Sequence, residues 1–431
     1  LVFFRIVFGL CMLTSTLRFL LLGWVEEQYI KPIVHFSYFG FEWLPYPPDW
    51  GVYALFLLLF VSCIGITLGL FYRLSAALFF LSFTYIELLD KTYYLNHYYF
   101  VSLVGLLLNF VPAHRFFSLD TSLKIVSRCS FVPRWTIDIL KFQLALVYFY
   151  AGLAKINDEW LLNAMPLKLW LPANNDLPLL GYFFNFEWCA YAFSWAGMLF
   201  DTFVPFLLLH KSLRYYCYPV IIFFHGITGW MFQIGMFPLI MTACVPIFFS
   251  DKFHQAFILF ISKLLRISKP DFEVNDVFYS PKNYFLKVFL CLYIVFQLVF
   301  PWRYLFYPGN LFWTEEGYRF SWRVMLIEKA GTATFFVKDS STGREGMVDN
   351  REFLNSHQEK QMAMQPDMIL QYAHFLAKYY ENIGLKHPEV RAEVYVTLNG
   401  RKSQLLIDPN QNLAAEKEGF SAKKWIKPLD E

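Results

Sequence analysis

The chain has 431 residues, 57% of them hydrophobic and 16% charged, with a net charge of +3 from 37 Lys+Arg against 34 Asp+Glu. A soluble protein carries about 25% charge, so a soluble globular enzyme is excluded and a multi-span membrane protein with a soluble appendage is indicated. The small net charge and the lack of a basic block argue against a nucleic-acid partner.

The opening run, LVFFRIVFGLCMLTSTLRFLLLGW, is too long and too lightly charged for a simple signal peptide and reads as the first span. Further apolar stretches lie near 51–71, 74–90, 96–112, 136–154, 188–209, 214–231, 233–249 and 284–300. Each approaches the roughly 20 residues that cross a bilayer, so the expected fold is an α-helical integral membrane bundle of about 8–9 transmembrane helices. The lower count holds if 233–249 belongs to a re-entrant pair.

The loops alternate in charge. Arg73, then Arg115, Lys124, Arg128 and Arg134, then Lys211 and Arg214, then Lys252, Lys263, Arg266 and Lys269 mark one side. Glu26, Glu27, Glu42 and Asp49, then Asp158, Glu159 and Asp176 mark the other. Positive loops stay inside, which predicts a cytoplasmic N-terminus and an external tail. Segment 252–268 has apolar residues at helical spacing with basic partners and reads as an interfacial helix on the inner surface.

From about residue 301 the composition turns polar, giving the expected division into a membrane domain, 1–300, and a small β-rich (α+β) soluble domain, 301–431. TATFFVKD, VRAEVYVTL and SQLLID read as strands, with Asn399-Gly400 as a two-residue hairpin turn. Pro366 to Asn382 reads as a helix: proline opens it, Gly384 follows it, and Met368, Ile369, Tyr372, Phe375, Leu376 and Tyr379 share a face. All 7 cysteines lie in the apolar part and none forms a CxxC pair, so neither a metal site nor a redox dithiol is predicted. The absence of an N-x-S/T sequon favours a bacterial source. HExxH, GxSxG and P-loop signatures are also missing, which removes support for metalloprotease, serine hydrolase and nucleotide-driven functions.

Four clusters place polar groups where hydrocarbon disfavours them. LLDKTYYLNHYYF holds Asp90, Lys91, Asn96 and His97. Asp90 and Lys91 read as a structural pair in an external loop, and His97 as either an interfacial anchor or a functional group. In LALVYFYAGLAKINDEW, Lys155 follows an aromatic helix end. It is either a lysine snorkelling at the outer rim or a base held neutral by burial. The positive-inside pattern disfavours the first reading, and the Ala151-Gly152 pair lets another helix approach. Asp201 and His225 lie inside apparent spans, near Thr228 and the glycines of HGITGWMFQIGMFP. A buried aspartate must be paired or protonated. Finally, residues 301–326 are dense in Trp, Tyr and Arg; Arg303, Arg319 and Arg323 beside aromatic rings suit a carboxylate arriving from outside.

These segments together resemble the vitamin K-dependent gamma-carboxylase family, whose membrane part is the HTTM domain. The matching residues are LLDKT followed by NH (88–92, 96–97), YFYAGLAKINDEW (148–160), FFH then QIGMFP (223–225, 233–238), and YPGNLFWTEEGYRFSW (307–322), in order across nearly the whole chain. The resemblance implies an enzyme that oxidises a vitamin K hydroquinone, or a related menaquinol, with O2 to the epoxide. It couples that oxidation to carboxylation of peptide glutamate with CO2. It implies Lys155 as the base, His97 as a catalytic partner, and Asn96, His225 and Thr228 around the quinone. Tyr307, Trp313, Tyr318 and Arg319 would hold the glutamate, with Asp90, Lys91 and Asp201 as structural ion-pair residues. A glutamate-containing peptide or protein, lipid and quinone are the implied partners, with no metal. A bacterial inner membrane with a periplasmic tail is expected, or the endoplasmic reticulum in a eukaryote. Two other outcomes stay open: a quinone epoxidase without carboxylation, and a non-catalytic membrane scaffold.

Overall fold

The computed structural model describes residues 1–178, 180–232, 234–268, 272 and 283–430. Lys269 and Gln233, used above, lie outside the described residues. The membrane part contains helices α1 (Val2–Leu21), α2 (Asp49–Leu68), α3 (Tyr72–Leu89), α4 (Asn96–Leu108), α5 (Trp135–Ala154), α6 (Glu187–Leu209), α7 (Leu213–Met231), α8 (Phe237–Cys244), α9 (Asp251–Leu264) and α10 (Tyr284–Val299).

Among the described residues, six helices are long and apolar enough to cross a membrane, or seven if the bent pair around α8 and α9 is one span. That is fewer than the eight or nine expected. The stretch at 96–112 yields only the 13-residue α4, about 20 Å at 1.5 Å per residue, too short to cross alone. The stretch at 233–249 breaks after Phe248 and turns by 119° into α9. This sharp turn sets the amphipathic 252–268 segment across the direction of α8.

Close packing of the helices depends on small residues. Gly69 ends α2 with a φ of 64°, and a Cβ there would collide with the Arg5 guanidinium. Arg5 is buried and donates to the carbonyls of Ala113 (3.2 Å) and Phe117 (2.7 Å), so this intramembrane cation is held by backbone oxygens. Asp120 accepts from the Phe71 and Tyr72 amides at 2.7 and 3.0 Å and so closes the start of α3.

The tail forms a four-stranded antiparallel sheet in the order β2-β1-β3-β4, with β1 Lys329–Lys338, β2 Glu345–Met347, β3 Glu389–Leu398 and β4 Gln404–Leu405. The central β1–β3 ladder runs from Lys329↔Leu398 to Lys338↔Glu389. Helices α11 (Ser356–Met362) and α12 (Pro366–Asn382) accompany the sheet. Met368, Ile369, Tyr372 and Leu376 of α12 are buried, whereas Tyr379 at the end of that face is exposed. Asn399 and Gly400 both have positive φ, as a turn requires. The Arg401 amide donates to the Leu398 carbonyl at 3.0 Å and closes the two-residue turn. Beyond it the ladder resumes at Val396↔Gln404, one residue out of the register that the turn alone would set, and the Asn399 and Arg401 side chains bond Glu159 of the membrane part. One apolar core runs without a break from the sheet and α12 into Trp160, Leu167, Phe184 and Met198. The tail is therefore seated on the loops beyond α5 and the first turns of α6.

Candidate functional site

Lys155 caps the C-terminal end of α5. Its Nζ lies 2.8 Å from Asp201 Oδ2 in α6 and 3.2 Å from the Ala151 carbonyl. Only 5% of Lys155 and 6% of Asp201 is exposed, so an amine and a carboxyl group are buried together inside the bundle. Gly152 makes this possible. A Cβ there would collide with Thr202, the residue beside Asp201, so only glycine lets the two helices approach enough for the pair to form. Below the lysine, Asn157 accepts from the Trp160 amide at 3.0 Å, starting a short helical turn. That turn places the Trp160 ring 5.3 Å from Nζ.

A narrow cavity of about 90 Å³ opens beside the pair. Apart from Lys155 and Asp201, its titratable lining residues are Tyr148 of α5 and His225 of α7. The Tyr148 hydroxyl and His225 Nε2 are 2.8 Å apart. His225 Nδ1 is buried with no partner among the described residues. Thr228 lines the same cavity, with its hydroxyl donated to the Phe224 carbonyl at 2.9 Å.

His97 lies across a wall, in a second cavity of about 630 Å³. Phe232, Ile234, Phe237, Val324 and Met325 line both spaces. The Phe237 ring stands 5.8 Å from the His97 ring and 5.9 Å from that of His225. His97 is 5% exposed, and no hydrogen bond joins its ring to a described residue. Asn96 is committed elsewhere: it accepts from the Tyr94 hydroxyl at 3.0 Å and donates to the Arg323 carbonyl at 2.8 Å.

A third space, a cleft of about 1130 Å³, separates the end of α5 from residues 301–323 and the C-terminal segment. Of the four residues expected to hold glutamate, Trp313 lines it. Tyr307 and Tyr318 are half-buried and do not line it. Arg319 points away, with its guanidinium bound to Asp367 at 2.7 Å and also to Gln365. Burial alone would raise the Asp367 carboxyl, but Arg319 and Lys91 together hold it well below the usual range. Arg323 does line the cleft; its guanidinium stacks on Tyr304 at 4.3 Å and meets no carboxylate among the described residues.

Asp90 and Lys91 are buried and do not pair with each other. Lys91 reaches Asp367 at 2.8 Å. Asp90 accepts from Thr92 at 2.7 Å and from Gln358 at 3.0 Å. Adjacent residues in a turn point their side chains in different directions, and the tail supplies a better partner for each. No group of three or more His, Cys, Asp or Glu able to hold a metal ion occurs among the described residues. Tyr148 and Phe237 lie within the quoted segments 148–160 and 233–238, but composition and spacing alone give neither a role there.

Fold and site define a class: an integral membrane protein in which apolar-lined cavities beside the helices hold a few ionisable side chains. Comparison with known families carries this further. The HTTM domain matches residues 1–253, and the vitamin K-dependent gamma-carboxylase lumenal domain matches residues 282–431. The chain belongs to the vitamin K-dependent gamma-carboxylase family, with its HTTM membrane domain. No solved structure matches the chain.

Proposed function

We propose that this protein oxidises a vitamin K hydroquinone, or a related menaquinol, with O2 to the epoxide and uses that reaction to carboxylate peptide glutamate with CO2. The observation that carries the reading is a set of polar side chains left unpaired in apolar cavities. Among the described residues these are both nitrogens of His97, Nδ1 of His225, and the one oxygen of Asp201 not bonded to Lys155. Buried polar groups are normally satisfied, so these suit a flat apolar ligand that carries its own oxygens. When bound, the hydroquinone supplies the reducing power whose release generates a base strong enough for the glutamate γ-proton.

Ligand pockets usually measure about 300–1,000 Å³. The His97 cavity falls in that range and the Lys155 cavity does not. We place the head group against His97 and Asn96, with one hydroxyl directed across the shared wall to Lys155. Lys155 takes that hydroxyl proton, His97 donates to the oxygen that becomes negative, and His225 and Thr228 border the far side. The surrounding side chains exclude water from the strong base. Trp313, with Tyr307 and Tyr318 nearby, shapes the glutamate site. We assign the carboxylate contact to Arg323 in place of Arg319, whose guanidinium is already bound to Asp367.

Residues 1–300 form the catalytic membrane domain in this reading, and 301–431 present the peptide. The enzyme sits in a bacterial inner membrane with a cytoplasmic N-terminus and a periplasmic tail. A cysteine introduced at the exposed Ser341 should be labelled in intact right-side-out vesicles; labelling only after lysis would reverse the orientation.

The direct test supplies purified protein with vitamin K hydroquinone, with and without a glutamate peptide, and follows epoxide and fixed labelled CO2. Both products support the carboxylase. Epoxide alone identifies an epoxidase without carboxylation, and neither product leaves a membrane scaffold.

A further inference from the structure

A base must be free of its proton, yet Lys155 sits 2.8 Å from a carboxylate. In water such a pair is an ammonium and a carboxylate. Inside hydrocarbon each charge loses several kcal/mol of hydration, and attraction between the two does not reliably restore it. Moving one proton from nitrogen to oxygen removes both charges and keeps the hydrogen bond. Among the described residues no third charged side chain lines the cavity, and Tyr148, Trp160, Trp170, His225 and Thr228 are the other polar side chains there. The Ala151 carbonyl, 3.2 Å from Nζ, accepts from an amine as it would from an ammonium. Trp160 donates to the Ser194 carbonyl at 2.8 Å and Trp170 to Glu328 at 2.6 Å, so neither is directed at the carboxylate. Tyr148 is turned to His225. Asp201 therefore has Lys155 as its one hydrogen-bonding partner among the described residues, and its second oxygen is left over.

We propose that Asp201 is the positioning residue that makes Lys155 a base: it holds the lysine's proton as a carboxylic acid, so that Nζ meets the substrate as a free amine. The pair carries one proton in both of its forms and titrates as a unit. In the reaction the substrate O–H bond breaks and its electron pair stays on oxygen. The proton forms a new N–H bond at Nζ, and the ammonium so created lies against the new oxyanion. The carboxyl proton stays on Asp201, so the net charge of the site does not change. This inference rests on the assignment of Lys155 as base, and it makes a claim about the protein at rest that can be read without turnover.

Infrared spectra of purified protein at neutral pH, without quinone, should show the carbonyl stretch of a protonated carboxyl that Asp201→Asn deletes. Asp201→Glu should displace it without deleting it, a control that does not depend on the asparagine variant folding. A spectrum in which the wild type and Asp201→Asn share the same protonated-carboxyl bands overturns the proposal, whether or not epoxide is formed.

The second arm is the pH profile of epoxidation. In the neutral pair the amine lies beside an uncharged carboxyl, so the uncharged amide of Asp201→Asn should leave the acid limb within about half a pH unit of the wild type. If the aspartate were ionised and held an ammonium in place, its removal would move the limb; a shift of about one pH unit or more in either direction overturns the proposal. Loss of wild-type epoxidation would remove the assignment of the reaction, while the infrared result would still decide the state of Asp201.

Discussion

The charged residues fall into two populations. Two ion pairs cross the junction between bundle and tail: Lys91 with Asp367, which Arg319 shares, and Arg401 with Glu159. Beside them, within the tail, Lys329 meets Glu315 at 2.9 Å and Lys423 meets Glu316 at 3.3 Å. In the Lys155 cavity the Lys155–Asp201 pair stands among aromatic side chains, and among the described residues neither His225 Nδ1 nor the His97 ring has a hydrogen-bonding partner. Satisfied charges at the junction hold two surfaces in register. Unsatisfied groups in the cavities are costly to keep and are explained by a ligand that completes them. The contrast agrees with the proposed division, in which the junction seats the tail and the cavities hold the chemistry.

The strongest way to break this contrast is to remove the proposed base. Lys155→Ala should lower epoxidation and carboxylation by about 10³-fold or more, and small exogenous amines should restore part of the epoxidation. Full activity in that variant would return Lys155 to a snorkelling anchor. His97→Ala should slow epoxidation by about 10–100-fold; an unaltered rate would remove it from the mechanism.

Arg323 comes next. Arg323→Gln should raise the peptide KM about tenfold through loss of a charge-assisted contact, while peptide-independent epoxidation stays at the wild-type rate. An unchanged peptide KM would return the carboxylate contact to another group.

At the junction the effects should be on stability. Asp367→Asn leaves Lys91 and Arg319 without their shared carboxylate, at a cost of about 3 kcal/mol, visible as a lower melting temperature and earlier proteolysis of the tail. A normal melting curve would mean that the junction charges do not seat the tail.

The smallest expected effect concerns Glu159, whose carboxyl is held below its ordinary value by hydrogen bonding to Arg401. A carboxylate lowered on folding stabilises above its unfolded value of about 4.3 and loses that contribution as pH falls through the folded value. Wild type should therefore exceed Glu159→Gln by a constant margin, about 1 kcal/mol, from pH 7 to about 5. The margin should shrink only below about pH 4. A margin that changes between pH 7 and 6 would assign the stabilisation to another group.

Much of the architecture was legible in local pattern. Helix α12 runs from Pro366 to Asn382 as its proline, its following glycine and its apolar face indicate. The membrane character, the sheet-forming strands and the odd position of Lys155 were equally plain. The number of full spans was not, because apolar length does not reveal a break such as the one after Phe248. The hairpin signal at Asn399-Gly400 specified the turn correctly, but nothing local shows that Asn399 and Arg401 bond Glu159, more than two hundred residues earlier.

The sequence by itself determined that this is a membrane protein with a soluble tail, and which ionisable groups stand in the wrong solvent. Hydrophobic length, turn chemistry and charge in hydrocarbon are local properties, readable from neighbouring residues. Only the tertiary structure decided who meets whom. Asp201 lies 46 residues from Lys155 and meets it because Gly152 lets two helices close on Thr202. Arg319 and Arg323 are four residues apart, and nothing in the chain says that Asp367 will take the first and leave the second facing the cleft. Those choices depend on helix packing and on where the tail is seated, and both follow from contacts between residues far apart in the chain.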